Sequence, residues 1–176
     1  MFKVLLTILM TFSTLIFASS SEEERANKKF ELSIQQGIDY RMSTTQASAM
    51  YFFNSHNLAG IKIGNRTGHE KQTNITAQYK LYLGNSFYLA PEIFYLNSRE
   101  EVNGYLSSLF MKTQNYASYS SMGGGLRIGN QWSWKNFTLG CDWIGIGQRV
   151  GTFKKESSKL NDTTYTFLNL FVGINF

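Results

Sequence analysis

The chain has 176 residues, room for one domain, and sets 10 Tyr, 14 Phe and 15 Gly against a single Pro and 16% charge, a balance that suits bent strands with exposed rings rather than a helical bundle. Its mean hydropathy of −0.23 excludes a polytopic helical membrane protein but not a membrane barrel, in which only every second residue is apolar. The net charge of +5 comes from scattered Lys and Arg with no basic helix or zinc-finger spacing, so nucleic acid is not an expected partner, and the one cysteine, Cys141, excludes an internal disulfide or a multi-cysteine metal site.

Residues 1–20 read as a signal peptide. Lys3 makes a short positive start, Val4 to Phe17 is mostly apolar, and Ala18-Ser19-Ser20 supplies small residues for cleavage near Ser20. The apolar run is shorter than the roughly 20 residues of a spanning helix, and an acidic flank, Glu22-Glu23-Glu24, follows it. Residues 21–28 then form a short N-terminal tail, and 29–176 the remaining domain.

From residue 29 onward the chain alternates with period two. Phe30, Leu32, Ile34, Ile38, Tyr40 and Met42 share one face of the first strand, with Glu31, Ser33, Gln35, Gly37, Asp39 and Arg41 on the other. The second strand, about 45–53, carries Ala47, Ala49, Tyr51 and Phe53 on one side. The third, 58–66, sets Ala59, Ile61 and Ile63 against Lys62 and Arg66. The fourth sets Ile75, Ala77, Tyr79, Leu81 and Leu83 against Asn74, Thr76, Gln78, Lys80 and Tyr82. The fifth, 87–98, sets Phe87, Leu89, Ile93 and Tyr95 against Tyr88, Glu92 and Phe94; its Pro91 removes a ladder donor and implies a bulge. The sixth, 118–132, opposes Met122, Leu126, Ile128 and Trp132 to Tyr119, Gly123, Gly125, Arg127 and Gln131. The seventh opposes Phe137, Leu139, Cys141 and Trp143 to Thr138, Gly140, Asp142 and Gln148. The last carries Leu168, Leu170, Val172, Ile174 and Phe176 opposite Asn169, Gly173 and Asn175.

The connections at 54–57, 84–86 and 133–136 are short, and those at 67–73, 99–117 and 150–161 long, while a first outer loop near 42–45 is short. A second register would fuse 50–64 into one strand and make 101–112 another. Alternation alone also fits a soluble lipocalin-like barrel. The rings decide between them: Phe53, Phe87, Tyr88, Trp132, Trp134 and Phe137 flank the three short turns, as an aromatic girdle does at a membrane interface. The expected fold is all-β, an eight-stranded antiparallel up-and-down transmembrane β-barrel with short periplasmic turns and longer extracellular loops. Leu81, Leu83, Ile128, Leu139, Leu170 and Ile174 then face lipid.

A carboxy-terminal Phe176 on an amphipathic strand, with Gly84-Asn85-Ser86-Phe87-Tyr88-Leu89 and Trp132-Ser133-Trp134-Lys135-Asn136-Phe137, resembles the small OmpA- and OmpX-like outer-membrane barrels over residues 28–176. The resemblance implies a bacterial outer-membrane location after export, recognition of Phe176 by the barrel-assembly machinery, and a monomer among outer-membrane lipid and lipopolysaccharide.

No chemistry stands out beside this. His56 falls in a turn and His69 in a loop; His69-Glu70-Lys71-Gln72-Thr73 begins like a zincin helix but has Thr73 where the second His belongs. No metal, cofactor or catalytic set is expected, and His56, followed by Asn57 and Leu58, does not match the His and Ser of the lipid A deacylases. Lys62, Lys80, Glu92, Arg127 and Asp142 are expected inside the barrel as a structural mixed-charge network, because a narrow lumen is filled by side chains. Arg66, Lys71, Lys154, Lys155 and Lys159 are read as outer-loop cations beside lipopolysaccharide phosphates. The expected role is a non-enzymatic barrel that braces the envelope or binds through its loops; the alternatives are a lipid-modifying barrel enzyme and a soluble periplasmic lipocalin-like ligand carrier.

Overall fold

The computed structural model describes residues 21–39, 42–68, 71–102, 115–153 and 163–176. A short helix, α1 (Ser21–Ala26), precedes eight strands: β1 (Phe30–Asp39), β2 (Met42–Asn54), β3 (Asn57–Thr67), β4 (Lys71–Tyr82), β5 (Phe87–Val102), β6 (Asn115–Trp134), β7 (Phe137–Phe153) and β8 (Thr163–Asn175). Each pairs antiparallel with its chain neighbour, and β8 returns to β1, closing the barrel. The seam is finished by Phe176, whose backbone exchanges hydrogen bonds with Phe30 and whose carbonyl also accepts from the Lys29 amide at 2.8 Å.

The burial pattern follows period two without a break along β4. In water such a strand would hide its aliphatic face, and here the reverse holds. Ile34, Ile38, Ile61, Ile75, Leu81, Leu83, Leu139, Leu170 and Ile174 are exposed, Ile93 to 64%. The buried set includes Lys62, Lys80, Glu92, Arg127, Asp142, Gln35, Gln78, Gln131, Asn74 and Asn169. A lipocalin-like barrel buries the aliphatic side, so this chain is built the other way. Ile128, half-buried, stands on the outward row of β6 with Met122 and Leu126.

The narrow lumen of an eight-stranded barrel admits large side chains because glycines oppose them across strand pairs. Gly129 sits opposite Tyr88, and an added Cβ there would come within 2.3 Å of the Cys141 carbonyl and 2.6 Å of the Tyr88 hydroxyl. Gly140 opposes Phe171, whose ring would meet a Cβ at 2.1 Å. Toward the end with the short turns, Met50, Phe52, Leu58, Tyr82, Tyr88, Ala90 and Phe171 fill the lumen as one apolar cluster.

Several expectations change. The strands run further than alternation suggested: β3 reaches Thr67 and β4 starts at Lys71, while β1 reaches Asp39 and β2 starts at Met42. Strands that pass beyond an apolar band carry polar residues on both faces, which erases the sequence signal. The turn at 54–57 separates β2 from β3, so 50–64 is not one strand; residues 103–112 of the alternative register lie outside the described residues. Tyr88 is fully buried in the lumen and leaves the girdle, which is formed instead by Phe53, Phe87, Phe137 and the half-buried Trp132 and Trp134. Phe30, Tyr51 and Phe53 extend it edge to face at 5.3 and 5.2 Å between centroids, and Trp134 stacks on Phe137.

Pro91 makes no bulge. β4 and β5 keep one register from Lys71↔Arg99 through Gln78↔Glu92 to Leu81↔Leu89, and only the pairs at Tyr79 and Lys80 drop out of the ladder. Register shifts lie elsewhere: between Ile128 and Gly129 and between Met122 and Gly123 on the β6–β7 pair, between Ile38 and Asp39 on β1–β8 and between Phe52 and Asn54 on β2–β3. The first takes Trp143 out of register and inverts the phase of β7. Beyond it Ile144, Ile146 and Gln148 face outward while Gly145 and Gly147 face inward, so Gln148 does not share a face with Asp142.

Candidate functional site

Asp142 is the centre of the lumen network and has no exposed surface. Its Oδ2 accepts from Gln35 Nε2 at 2.7 Å and Arg127 Nη1 at 3.4 Å, with Lys62 Nζ 3.9 Å away. Its Oδ1 accepts a short hydrogen bond from the Tyr88 hydroxyl. Arg127 also donates through Nε to Glu92 Oε2 at 2.7 Å, and Gln78 donates to the same oxygen at 3.3 Å. Lys62 donates to Gln35 Oε1 at 3.2 Å. With the Asn169 amide turned end for end, the orientation in which its donors and acceptors all match, its oxygen accepts from Arg127 Nη1 at 2.7 Å and from Gln35 Nε2 at 3.1 Å.

Lys80 stands apart from this cluster. It donates to Gln131 Oε1 at 2.7 Å, Gln131 donates onward to Glu31 Oε2, and the ammonium lies 4.2 Å from the Phe171 ring centre and 4.8 Å from that of Tyr88. The five charged residues singled out in the sequence thus fall into two groups, with Lys80 linked to an acid, among the described residues, through a carboxamide. Glu31, Gln35, Gln78, Tyr88, Gln131 and Asn169 join them. Their signal was present: each sits on the polar parity of its strand. The arrangement holds ions in a low-dielectric interior by pairing them, and it fills space.

Of the outer-loop cations, Lys154, Lys155 and Lys159 lie outside the described residues. Arg66 is corrected: β3 runs on to Thr67, so period two turns its buried side chain inward like that of Lys62. Lys71 is exposed at the start of β4, paired across to Thr67 on one side and Arg99 on the other. An open recess of about 480 Å³ at this rim is lined by Asn65, Arg66, Thr67, Lys71, Gln72, Thr73, Asn97 and Arg99.

The opposite mouth holds α1, read from sequence as a tail. The His56 ring lies between Ser55, whose hydroxyl is 2.9 Å from Nδ1, and Glu22, whose Oε1 is 3.2 Å from Nε2. A serine, a histidine and an acid therefore do meet, contrary to expectation, because Ser55 precedes His56 and Glu22 arrives from α1. The hydroxyl is the histidine's own chain neighbour in a turn, and the ring and Glu22 are 49% and 44% exposed. A nucleophile needs a base held in a water-excluding site, so these bonds serve to tie helix to turn. Among the described residues, no group of three His, Cys, Asp or Glu could hold a metal ion; His69 is not among them.

No family model matches the chain, and no curated protein matches it. Solved structures do. The N-terminal β-barrel domain of Pseudomonas aeruginosa OprF is 11% identical with a TM-score of 0.54, covering 85% of this chain and 98% of that one. Neisserial surface protein A, NspA, is 12% identical with a TM-score of 0.58, covering 84% and 95%. The chain has the fold of the small eight-stranded outer-membrane β-barrels.

Proposed function

We propose that this protein is an integral, non-enzymatic outer-membrane barrel with a filled lumen, exported through residues 1–20 and assembled with the help of its terminal Phe176. The observation that carries the reading is the inverted polarity: a continuous aliphatic exterior around a hydrogen-bonded ionic interior, an arrangement only lipid favours. Fractionation of the native envelope tests it. The protein should sediment with the outer membrane and migrate faster on gels before heating than after; recovery as a soluble periplasmic species would refute it.

The outward row at the outer rim supports contact with anionic lipid headgroups. Ile63, Ile75 and Tyr95 end the apolar band, and Asn65, Thr73 and Asn97 follow one row further out. Lys71 then stands directly opposite Arg99. Like charges paired across strands repel, and a phosphate between them turns that repulsion into binding. In the Lys71→Gln, Arg99→Gln double variant, the stability gained from lipopolysaccharide over plain phospholipid should shrink. An unchanged gain in the variant would remove lipopolysaccharide from the reading.

A further inference from the structure

We propose that the short-turn mouth of the barrel is a docking site for the chain's own residues 21–28, and that this segment is a removable plug latched by Arg25. The proposal needs the closed barrel and not its orientation in a membrane, so it stands or falls separately from the function above.

The helix touches all three short turns. Arg25 Nε donates to the Ser55 carbonyl at 2.9 Å and Nη1 to the Asn85 carbonyl at 2.7 Å, bridging the β2–β3 and β4–β5 turns. The Glu22 amide donates to Asn85 Oδ1 at 3.0 Å. At the β6–β7 turn, Ser21 Oγ accepts from the Ser133 amide at 3.2 Å, and Lys28 Nζ donates to Asn136 Oδ1 at 2.7 Å. The Arg25 guanidinium lies 3.8 Å over the ring of Tyr82, a member of the lumen's apolar cluster, and its surface is fully covered.

A guanidinium leaves water only where the site repays its desolvation, and two carbonyls plus an aromatic face do so here. Those carbonyls belong to different turns, so the seat exists only in the closed barrel. The rest of the segment, Ser-Glu-Glu-Glu-Arg-Ala-Asn-Lys, offers no large apolar side chain to hold it. A six-residue helix does not persist in water on its own, so its folding and its docking are one event. The seat is also incompletely filled: Arg25 Nη2 and the Tyr82 hydroxyl are buried without hydrogen-bond partners among the described residues. A plug whose one buried charged side chain is left partly unsatisfied, while its other charged ties, Glu22 to His56 and Lys28 to Asn136, are exposed, is a plug that can leave. When it does, Ser133, Tyr82 and the floor of the Glu31–Gln131–Lys80 chain meet water.

Ser133, fully buried beneath the helix, reports this directly. In a Cys141→Ser background, Ser133→Cys should react slowly with a charged maleimide in the folded protein. Adding Arg25→Ala, or deleting residues 21–28, should speed labelling at least tenfold while the unheated gel mobility of the barrel is kept. Equal labelling rates with the barrel intact would overturn the proposal. Should Ser133→Cys not fold, amide exchange at Glu22 serves instead: protection in the parent and its loss in Arg25→Ala support the plug, whereas exchange at the free-peptide rate in the parent overturns it.

Discussion

At the scale of single residues, Asp142 is the group the lumen depends on most. It accepts from Gln35, Arg127 and Tyr88 and lies beside Lys62. In Asp142→Asn the shape is kept and one charge is lost, leaving Glu92 as the remaining acid on Arg127 and Lys62 with no direct ion pair among the described residues. Breaking a buried pair by removing one partner costs about 3 kcal/mol or more, so the urea midpoint in lipid should fall by a clearly measurable amount; a midpoint equal to that of the parent would show that the network is not what holds these cations. The charges of this network were legible in the sequence because they sit on the polar parity of their strands. Their partners were harder to read. Gln35, Gln131 and Asn169 carry no charge to draw attention, and only the barrel's register brings them to Lys62, Lys80 and Arg127.

At the scale of elements, β5 offers a test through its one proline. The β4–β5 ladder loses its pairs at Tyr79 and Lys80 and resumes in the same register, so the carbonyl that would accept a donor from position 91 is already placed. Pro91→Val supplies that donor and a side chain suited to an outward strand position. It should raise stability in lipid by about 1 kcal/mol, seen as a higher urea midpoint; a lower midpoint would mean that the proline relieves a strain the ladder does not show. The eight strands were legible because lipid outside and a filled polar lumen inside impose period two on every crossing. The bulge at Trp143 was not, because a single inserted residue flanked by Gly140, Gly145 and Gly147 leaves little contrast between faces from which to see the phase change. Helix α1 escaped for another reason: six residues are too few to show a helical period, and the one it buries most completely beside Ser21 is an arginine, which reads as solvated.

At the scale of the whole molecule, the fold follows from one reversal of the usual rule. A barrel of eight strands is just wide enough for side chains to fill. Putting glycines opposite Tyr88 and Phe171 makes room for large groups, and the ionic interior then specifies how they interlock. The aliphatic exterior has no partner among the described residues, and in the proposed reading lipid covers it. The most direct measurement of this claim is a cysteine scan along β4 in the Cys141→Ser background, with a nitroxide on each residue from Lys71 to Tyr82 in reconstituted bilayers. Collision with lipid-soluble oxygen should peak at Ile75, Ala77, Tyr79 and Leu81 and vanish at Asn74, Thr76, Gln78 and Lys80, while a water-soluble nickel chelate should reach only Lys71 and Thr73 among the outward positions. Nickel access along the whole aliphatic row, or oxygen access without a period of two, would contradict the account.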